Sequence, residues 1–254
     1  MLGRFIRKGG WAIIVLAALG LGMYLLASRT DANILLPVSS AVMAQPVGDL
    51  PSMAVKPEPG WVTLDGCPPA GAGGDAALNL MKNRMDQGPY VPVSFDSLMT
   101  LPWPKSIENE PVANWPASSR TFMDQYLGLP LSVEGYIMNV RAAAPDPATC
   151  NLTKPDALAW RMNFADTPHP LREQTLLIES TPQARIGHTW TIDIIQNLIV
   201  DQRLKVRVSG WLYFDPEHPL EVGRVRGTLW EIRPVMQIEV FQDGRWYPLD
   251  RWGK

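Results

Sequence analysis

The fold is decided by the stretch Lys205-Val-Arg-Val-Ser-Gly-Trp-Leu-Tyr-Phe214. Its side chains alternate between two sets, one made of Val206, Val208, Gly210, Leu212 and Phe214 and the other of Lys205, Arg207, Ser209, Trp211 and Tyr213. A period of two is typical of a β-strand that buries one face. A glycine in the middle suits a strongly bent strand. The stretch therefore predicts a curved strand of a small barrel.

Further strand patterns lie on both sides of this stretch. Apolar alternation predicts strands at residues 131–137, 158–164, 175–180 and 228–241. Gly135 predicts a bulge or sharp bend in the first of them, and Pro234 predicts a bulge in the last. Residues 190–199 fit a helical stripe better than a strand. Three strands, a helix and two strands follow the order of the OB-fold, a five-stranded partly open barrel, and a β-sandwich is the alternative.

The region before the barrel divides into a helical lead-in and a linker. Asp75 is a good N-cap for a helix over residues 76–85, and a further helix is expected over residues 118–127. Five prolines between residues 28 and 60 are typical of an extended linker. The sequence thus predicts a mainly β protein, α+β overall, in four parts: residues 1–27, a membrane segment; 28–60, a Pro-rich linker; 61–128, a helical lead-in; and 129–254, an OB-like five-stranded barrel.

The N-terminal segment indicates export. Arg4, Arg7 and Lys8 precede an uncharged apolar run at residues 11–27. Seventeen helical residues reach about 25 Å, the short end of what crosses a bilayer. Basic residues before the run predict a single-pass inner-membrane anchor with a cytoplasmic N-terminus and a periplasmic C-terminal domain. Cleavage near Ala32, which would release a secreted protein, is the alternative.

The two cysteines are read in the light of this placement. Cys67 and Cys150 are the only ones, and an oxidising compartment allows them to form a disulfide. Two free surface thiols are the alternative.

The overall balance of charge bears on a different question, the binding of nucleic acid. Residues 129–254 hold 14 Lys and Arg against 15 Asp and Glu, which argues against a phosphate-binding groove.

The densest polar cluster is Asp215-Pro-Glu217-His218. Two carboxylates and an imidazole in one loop have the chemistry to bind a metal or polarise a water. A Pro-containing loop between strands also collects such residues simply as turn formers. In that case His218 would hydrogen-bond Glu231 or a backbone carbonyl.

Two further sets of candidate residues lie on the flanking strands. Glu231 stands in an apolar strand, so a structural Arg–Glu pair is expected there, and a nuclease-like site is the alternative. The arginines that lie nearby in the sequence are Arg207, Arg224, Arg226 and Arg233. Trp211 and Tyr213 share a strand face with Arg207. Together they could stack on a base or a sugar, or the two rings could instead pack against the lead-in.

Several stretches resemble a family of uncharacterised bacterial exported proteins with an OB-like domain. The residues that carry the resemblance are Val206-Arg-Val-Ser-Gly-Trp-Leu-Tyr-Phe-Asp-Pro-Glu-His218, Arg226-Gly-Thr-Leu-Trp-Glu-Ile-Arg-Pro-Val235 and Ile238-Glu239, with Gly71-Ala-Gly-Gly-Asp75 and Cys150-Asn151 further upstream. The family reads G-W-L, D-x-E-H and T-x-W-E-I-H-P-V, and Arg233 replaces the usual histidine of the last motif. The resemblance covers roughly residues 61–241. It implies the OB-like fold and no particular activity.

These observations favour a membrane-anchored periplasmic binding or assembly module without catalytic activity. The expected partners are the membrane, through residues 11–27, and a protein within a larger membrane complex; neither nucleic acid nor a cofactor or metal is expected. A metal-dependent hydrolase or nuclease-like OB-fold enzyme is one alternative, and an oligosaccharide-binding barrel is another.

Overall fold

One sheet of eight strands organises the part of the chain that the computed structural model describes, which is residue 50, residues 59–200 and residues 204–253. Its strands are β1 (Val91–Pro92), β2 (Pro130–Ile137), β3 (Arg141–Ala142), β4 (Trp160–Ala165), β5 (Leu176–Ser180), β6 (Val206–Phe214), β7 (Trp230–Gln242) and β8 (Arg245–Pro248). The protein is therefore mainly β, and the five long predicted strands are confirmed with small shifts at their ends.

The predicted membrane segment, the cleavage site near Ala32 and most of the predicted linker lie outside the described residues. Within those described residues, no helix has both the length and the apolar character needed to cross a bilayer.

The pairing of the strands closes the long strands of the sheet into a ring, because β4 pairs with β2 as well as with β5. Hydrogen-bonded neighbours follow the order β1-β2-β6-β7-β5-β4-β3, β8 pairs with β7, and β2 also pairs with β4. The five long strands β2, β6, β7, β5 and β4 are thus linked in a ring. Pairing around this ring is antiparallel except between β5 and β7, which run parallel.

Gly135 marks the point at which β2 changes its partner. Up to Gly135 the strand pairs with β6, and from Tyr136 onward it pairs with β4. A Cβ atom on Gly135 would lie 2.2 Å from the carbonyl oxygen of Ala165, so no other residue fits this close approach. The bend expected at this glycine therefore corresponds to the turn of β2 from one neighbour to the other.

The predicted irregularity of the last long strand is confirmed. The register between β6 and β7 shifts on both sides of Gly210, where Gly210 pairs with Val235 and Leu212 pairs with Ile232. Pro234 lies in the interrupted part of β7, because a residue without an amide hydrogen cannot complete the ladder.

Four α-helices accompany the sheet in the described part of the chain: α1 (Ala76–Lys82), α2 (Phe95–Met99), α3 (Ala117–Met123) and α4 (Ile192–Val200). Asp75 caps α1 as predicted, since its carboxylate accepts hydrogen bonds from the amides of Ala77 and Leu78 at 2.8 and 3.2 Å. The helical reading of residues 190–199 is confirmed by α4. The helix predicted over residues 118–127 is shorter, and ends at Met123.

Alternation along the strands separates an apolar core from a polar layer. Met162, Phe164, Ile178 and Ile232 are fully buried in the core. The intervening positions of β4, β5 and β7 hold the charged residues Arg161, Glu179, Glu231 and Arg233, which lie on the opposite face of the sheet. This polar layer is the structural basis of the site described below.

The expected disulfide between Cys67 and Cys150 is present, with their Cα atoms 5.8 Å apart. The amide of Asn83 reinforces this connection by donating to the carbonyls of Pro69 and Ala148 at 2.8 and 2.7 Å. The lead-in is consequently fastened to the connection between β3 and β4, which includes Asp146.

Candidate functional site

A cavity of about 390 Å³ lies over the polar face of the sheet, and we call it the charged cavity. Strands β4, β5 and β7 supply Arg161, Glu179 and Arg233 to its floor. The remaining lining residues come from α1, from the segment that starts at β3 and from the connection between β6 and β7; they are Lys82, Arg141, Ala142, Ala143, Ala144, Pro145, Asp146, Asp215, Glu217 and His218. Segments far apart in the sequence thus converge on one concave, charged surface.

Arg226 is buried beneath this cavity, where it pairs with several carboxylates. Its guanidinium is fully buried; Nη2 donates to Oδ2 of Asp215 at 2.5 Å and Nη1 donates to Glu231. Its Nε atom lies 3.1 Å from Oε2 of Glu221. Three carboxylates therefore share a single cation, and the guanidinium joins the β6–β7 connection to the strand that follows it.

This crowding of carboxylates shifts the pKa of Glu231. Its side chain is fully buried, and Oε2 has no hydrogen-bond partner among the described residues. Burial, aided by the negative charges of Asp215 and Glu179, raises the pKa of Glu231 to about 7 against the opposing effect of Arg226. One guanidinium does not neutralise three carboxylates. Glu231 holds a proton most readily of the three, because it has the fewest other partners.

Asp215 and His218 form a second pair at the mouth of the cavity. Nδ1 of His218 lies 2.9 Å from Oδ2 of Asp215, and half of the imidazole is exposed. This hydrogen bond raises the pKa of His218, while His218 and Arg226 together hold the pKa of Asp215 far below its usual range in spite of its burial. The sequence predicted Glu231 or a backbone carbonyl as the hydrogen-bond partner of His218. The structure instead pairs the imidazole with Asp215.

Arg233 anchors the opposite side of the cavity. Its Nη1 and Nη2 atoms contact Glu179 and Asp146 at 3.0 and 2.9 Å. Lys82 lies 3.4 Å from Asp146 and 3.5 Å from Glu217. The two cations, together with the amide of Ala148, lower the pKa of Asp146 to about 2 even though burial opposes the shift.

Arg161 completes the network across the floor. Its Nη2 atom lies 2.7 Å from Glu221, and its Nε atom lies 3.3 Å from Glu179, its cross-strand neighbour. Charges of opposite sign therefore alternate from one side of the cavity to the other.

The structure brings together most of the residues that the sequence singled out. Asp215, Glu217, His218 and Arg233 line the cavity, and Glu231 lies directly beneath it. The expected Arg–Glu pair exists, and its arginine is Arg226.

None of the three residues of the suggested stacking surface is part of the cavity lining, although the ring of Tyr213 lies under Arg233 at 5.6 Å. Arg207 pairs with Glu134 and Glu239 at 2.9 and 3.3 Å and stacks on Trp246. Trp211 and Tyr213 are buried, with 1% and 0% of their surfaces exposed. Arg84 of the lead-in covers the ring of Trp211 at 3.6 Å, which favours the packing alternative for this residue.

Five charged lining residues were missed by sequence reasoning: Lys82, Arg141, Asp146, Arg161 and Glu179. Glu179 and Arg161 carried a signal, because each interrupts a strand that is otherwise buried. Asp146 carried none, since it stands in a Pro-rich connection whose position depends on the fold. Within the described ranges, no group of three His, Cys, Asp or Glu side chains is placed to hold a metal ion.

Comparisons with known proteins give no independent indication of function. No protein-family model matches the chain. The search of curated proteins finds no significant match. Function is therefore inferred from the chemistry of the charged cavity.

Replacing Arg226 tests its pairing with buried carboxylates. The substitution Arg226→Leu leaves Asp215 and Glu231 buried without their shared cation, so we expect the free energy of unfolding to fall by about 3–5 kcal/mol. Arg224→Leu changes an exposed arginine of the same connection and should cost less than about 0.5 kcal/mol. Urea unfolding of the two purified variants measures the difference, and equal losses would contradict the role given to Arg226.

Replacing Glu231 tests its protonation. A carboxyl whose pKa is raised in the folded state binds a proton that the unfolded chain releases, so stability falls as the pH rises from about 4.5 to about 7. Glu231→Gln should flatten this part of the stability profile, whereas Glu173→Gln, at an exposed position, should leave it unchanged. Urea midpoints between pH 4.5 and pH 8 provide the measurement. A slope that persists in Glu231→Gln would show that another group is responsible.

Proposed function

We propose that this chain is a non-catalytic binding module built on an OB-like barrel, and that its ligand occupies the charged cavity. Support for the barrel comes from the ring of five long strands and from the order of three strands, a helix and two strands along the chain. The parallel pairing of β5 with β7 joins the third and fifth strands of that ring.

The observation that carries the proposal is the position of the cavity. OB-folds bind ligands on the face of their second and third strands and on the loops between strands one and two and between strands four and five. The charged cavity combines Arg161 and Glu179 from those two strands with Asp146 and Asp215 from those two loops. Its volume also falls within the range of small-molecule sites.

Binding is a better account than catalysis because three of the four carboxylates on the cavity lining are already engaged, and Glu231 is buried beneath that lining. Asp215 accepts hydrogen bonds from Arg226, from His218 and from the amide of Glu217. Asp146 and Glu179 each contact two cationic groups. A general base needs a lone pair free for a substrate proton, and these acids are committed to holding the walls of the cavity.

Blocking the cavity tests the proposal. Ala144 is exposed at the rim, so Ala144→Trp should fill the space while leaving the fold intact. Ligand that copurifies with the full chain from detergent extracts, detected by native mass spectrometry, should be lost from this variant. It should be retained by Ala113→Trp, at an exposed position outside the cavity. Retention by both variants, or turnover of a bound ester or phosphodiester, would contradict the proposal.

We further propose that residues 11–27 anchor the chain in the inner membrane, so that the binding module works in the periplasm beside a protein partner. The basic residues before the apolar run and the disulfide of the folded part support export. Protease added to spheroplasts should digest the module, and crosslinking before detergent extraction should capture the partner. Protection from the protease, or a strictly monomeric chain with no crosslinked product, would count against this placement.

A further inference from the structure

The donors and acceptors around the charged cavity are unequally satisfied. Glu179 contacts two arginines, and Asp215 and Asp146 each accept charge-assisted hydrogen bonds. Their capacity to accept further hydrogen bonds from a ligand is therefore small. These three acids act as scaffolding for the cations of the cavity, whereas Glu217, at 3.5 Å from Lys82, is held only by that lysine.

Three cationic side chains on the lining keep donors available. Arg141 is exposed, and its guanidinium makes no hydrogen bond or ion pair with the other described residues. Lys82 approaches its two carboxylates only at 3.4 and 3.5 Å, longer than the 2.7–2.9 Å that is usual for strong charged pairs. His218 uses Nδ1 for Asp215, which leaves Nε2 on a half-exposed ring.

The lining argues against recognition by stacking. Among the described residues, the one aromatic ring on the lining is the imidazole of His218, because Trp211 and Tyr213 are buried and Arg233 lies between the ring of Tyr213 and the cavity. A neutral sugar or a nucleobase is commonly held on an exposed aromatic face. In this cavity the available interactions are charge and hydrogen bonding.

We propose that the ligand presents an anionic group, a carboxylate or a phosphate, to Arg141, Lys82 and His218. This inference rests on the proposed function, since it names the chemistry of the ligand that occupies the charged cavity. The wall formed by residues 142–145 consists of three alanines and a proline, which leaves room for the body of a ligand about the size of a monosaccharide or disaccharide.

A matched series of probes tests the charge requirement with the full chain in detergent. Glucuronate supplies the carboxylate, glucose 6-phosphate supplies the phosphate, and glucose and the methyl ester of glucuronate are their neutral counterparts. Isothermal titration calorimetry should show at least one anionic probe binding tenfold or more tightly than its neutral counterpart. The stronger of the two anionic arms identifies the preferred group.

Variants locate the bound anion. Arg141→Gln removes a charge without breaking a side-chain hydrogen bond or ion pair among the described residues, so it should weaken the anionic probe about tenfold and leave the fold unchanged. Arg251→Gln, which changes an exposed arginine outside the cavity lining, should bind like the unaltered chain. His218→Gln should weaken binding in the same direction as Arg141→Gln.

The outcomes separate this inference from the proposed function. If glucose binds as tightly as the anions and Ala144→Trp abolishes that binding, the anion inference is overturned and the binding cavity stands. If an anion binds but Ala144→Trp has no effect, the ion lies elsewhere and the inference is overturned. If no anionic probe binds, the inference is also overturned, while retention or loss of the copurified ligand in Ala144→Trp still decides the proposed function.

Discussion

The buried guanidinium of Arg226 is the constraint on which the polar layer of the sheet depends. A cation removed from water is tolerated only where carboxylates replace its hydration, and Arg226 has three within reach. Two of those carboxylates, Asp215 and Glu221, belong to the connection that follows β6, and the third, Glu231, belongs to β7. Satisfying one side chain therefore fixes how the β6–β7 connection lies over the sheet, and that connection supplies Asp215, Glu217 and His218 to the cavity.

The same requirement extends across the floor of the cavity. Glu221 is shared with Arg161, Arg161 with Glu179, and Glu179 with Arg233, which in turn contacts Asp146. Buried ion pairs of this kind add little net stability, because desolvation cancels most of the Coulombic gain. Apolar side chains would have covered this face of the sheet with a smaller free-energy cost of desolvation. The network instead keeps a concave, charged surface open, which is the arrangement that a binding site needs.

The sequence predicted the elements of this fold well and the composition of its site only in part. Period-two alternation, the cap at Asp75 and the cysteine pair are local or compositional signals, and each is confirmed. Arg207 and Tyr213 were grouped because they share a strand face, but six residues of strand separate them by about 20 Å. Lys82 and Asp146 were missed for the opposite reason, because only the tertiary fold and the disulfide bring their distant segments together.

The burial of Trp211 explains why charge rather than stacking governs the proposed site. The guanidinium of Arg84 covers its indole, and Tyr90 meets the same ring edge-on with centroids 6.1 Å apart. An aromatic surface that an OB-like barrel could offer to a base or a sugar is thus occupied by the lead-in. The same lead-in contributes Lys82 to the cavity, so it removes an aromatic platform and supplies a cation. The lead-in is accordingly part of the proposed binding module, and the chemistry of the charged cavity follows from how the lead-in packs against the sheet.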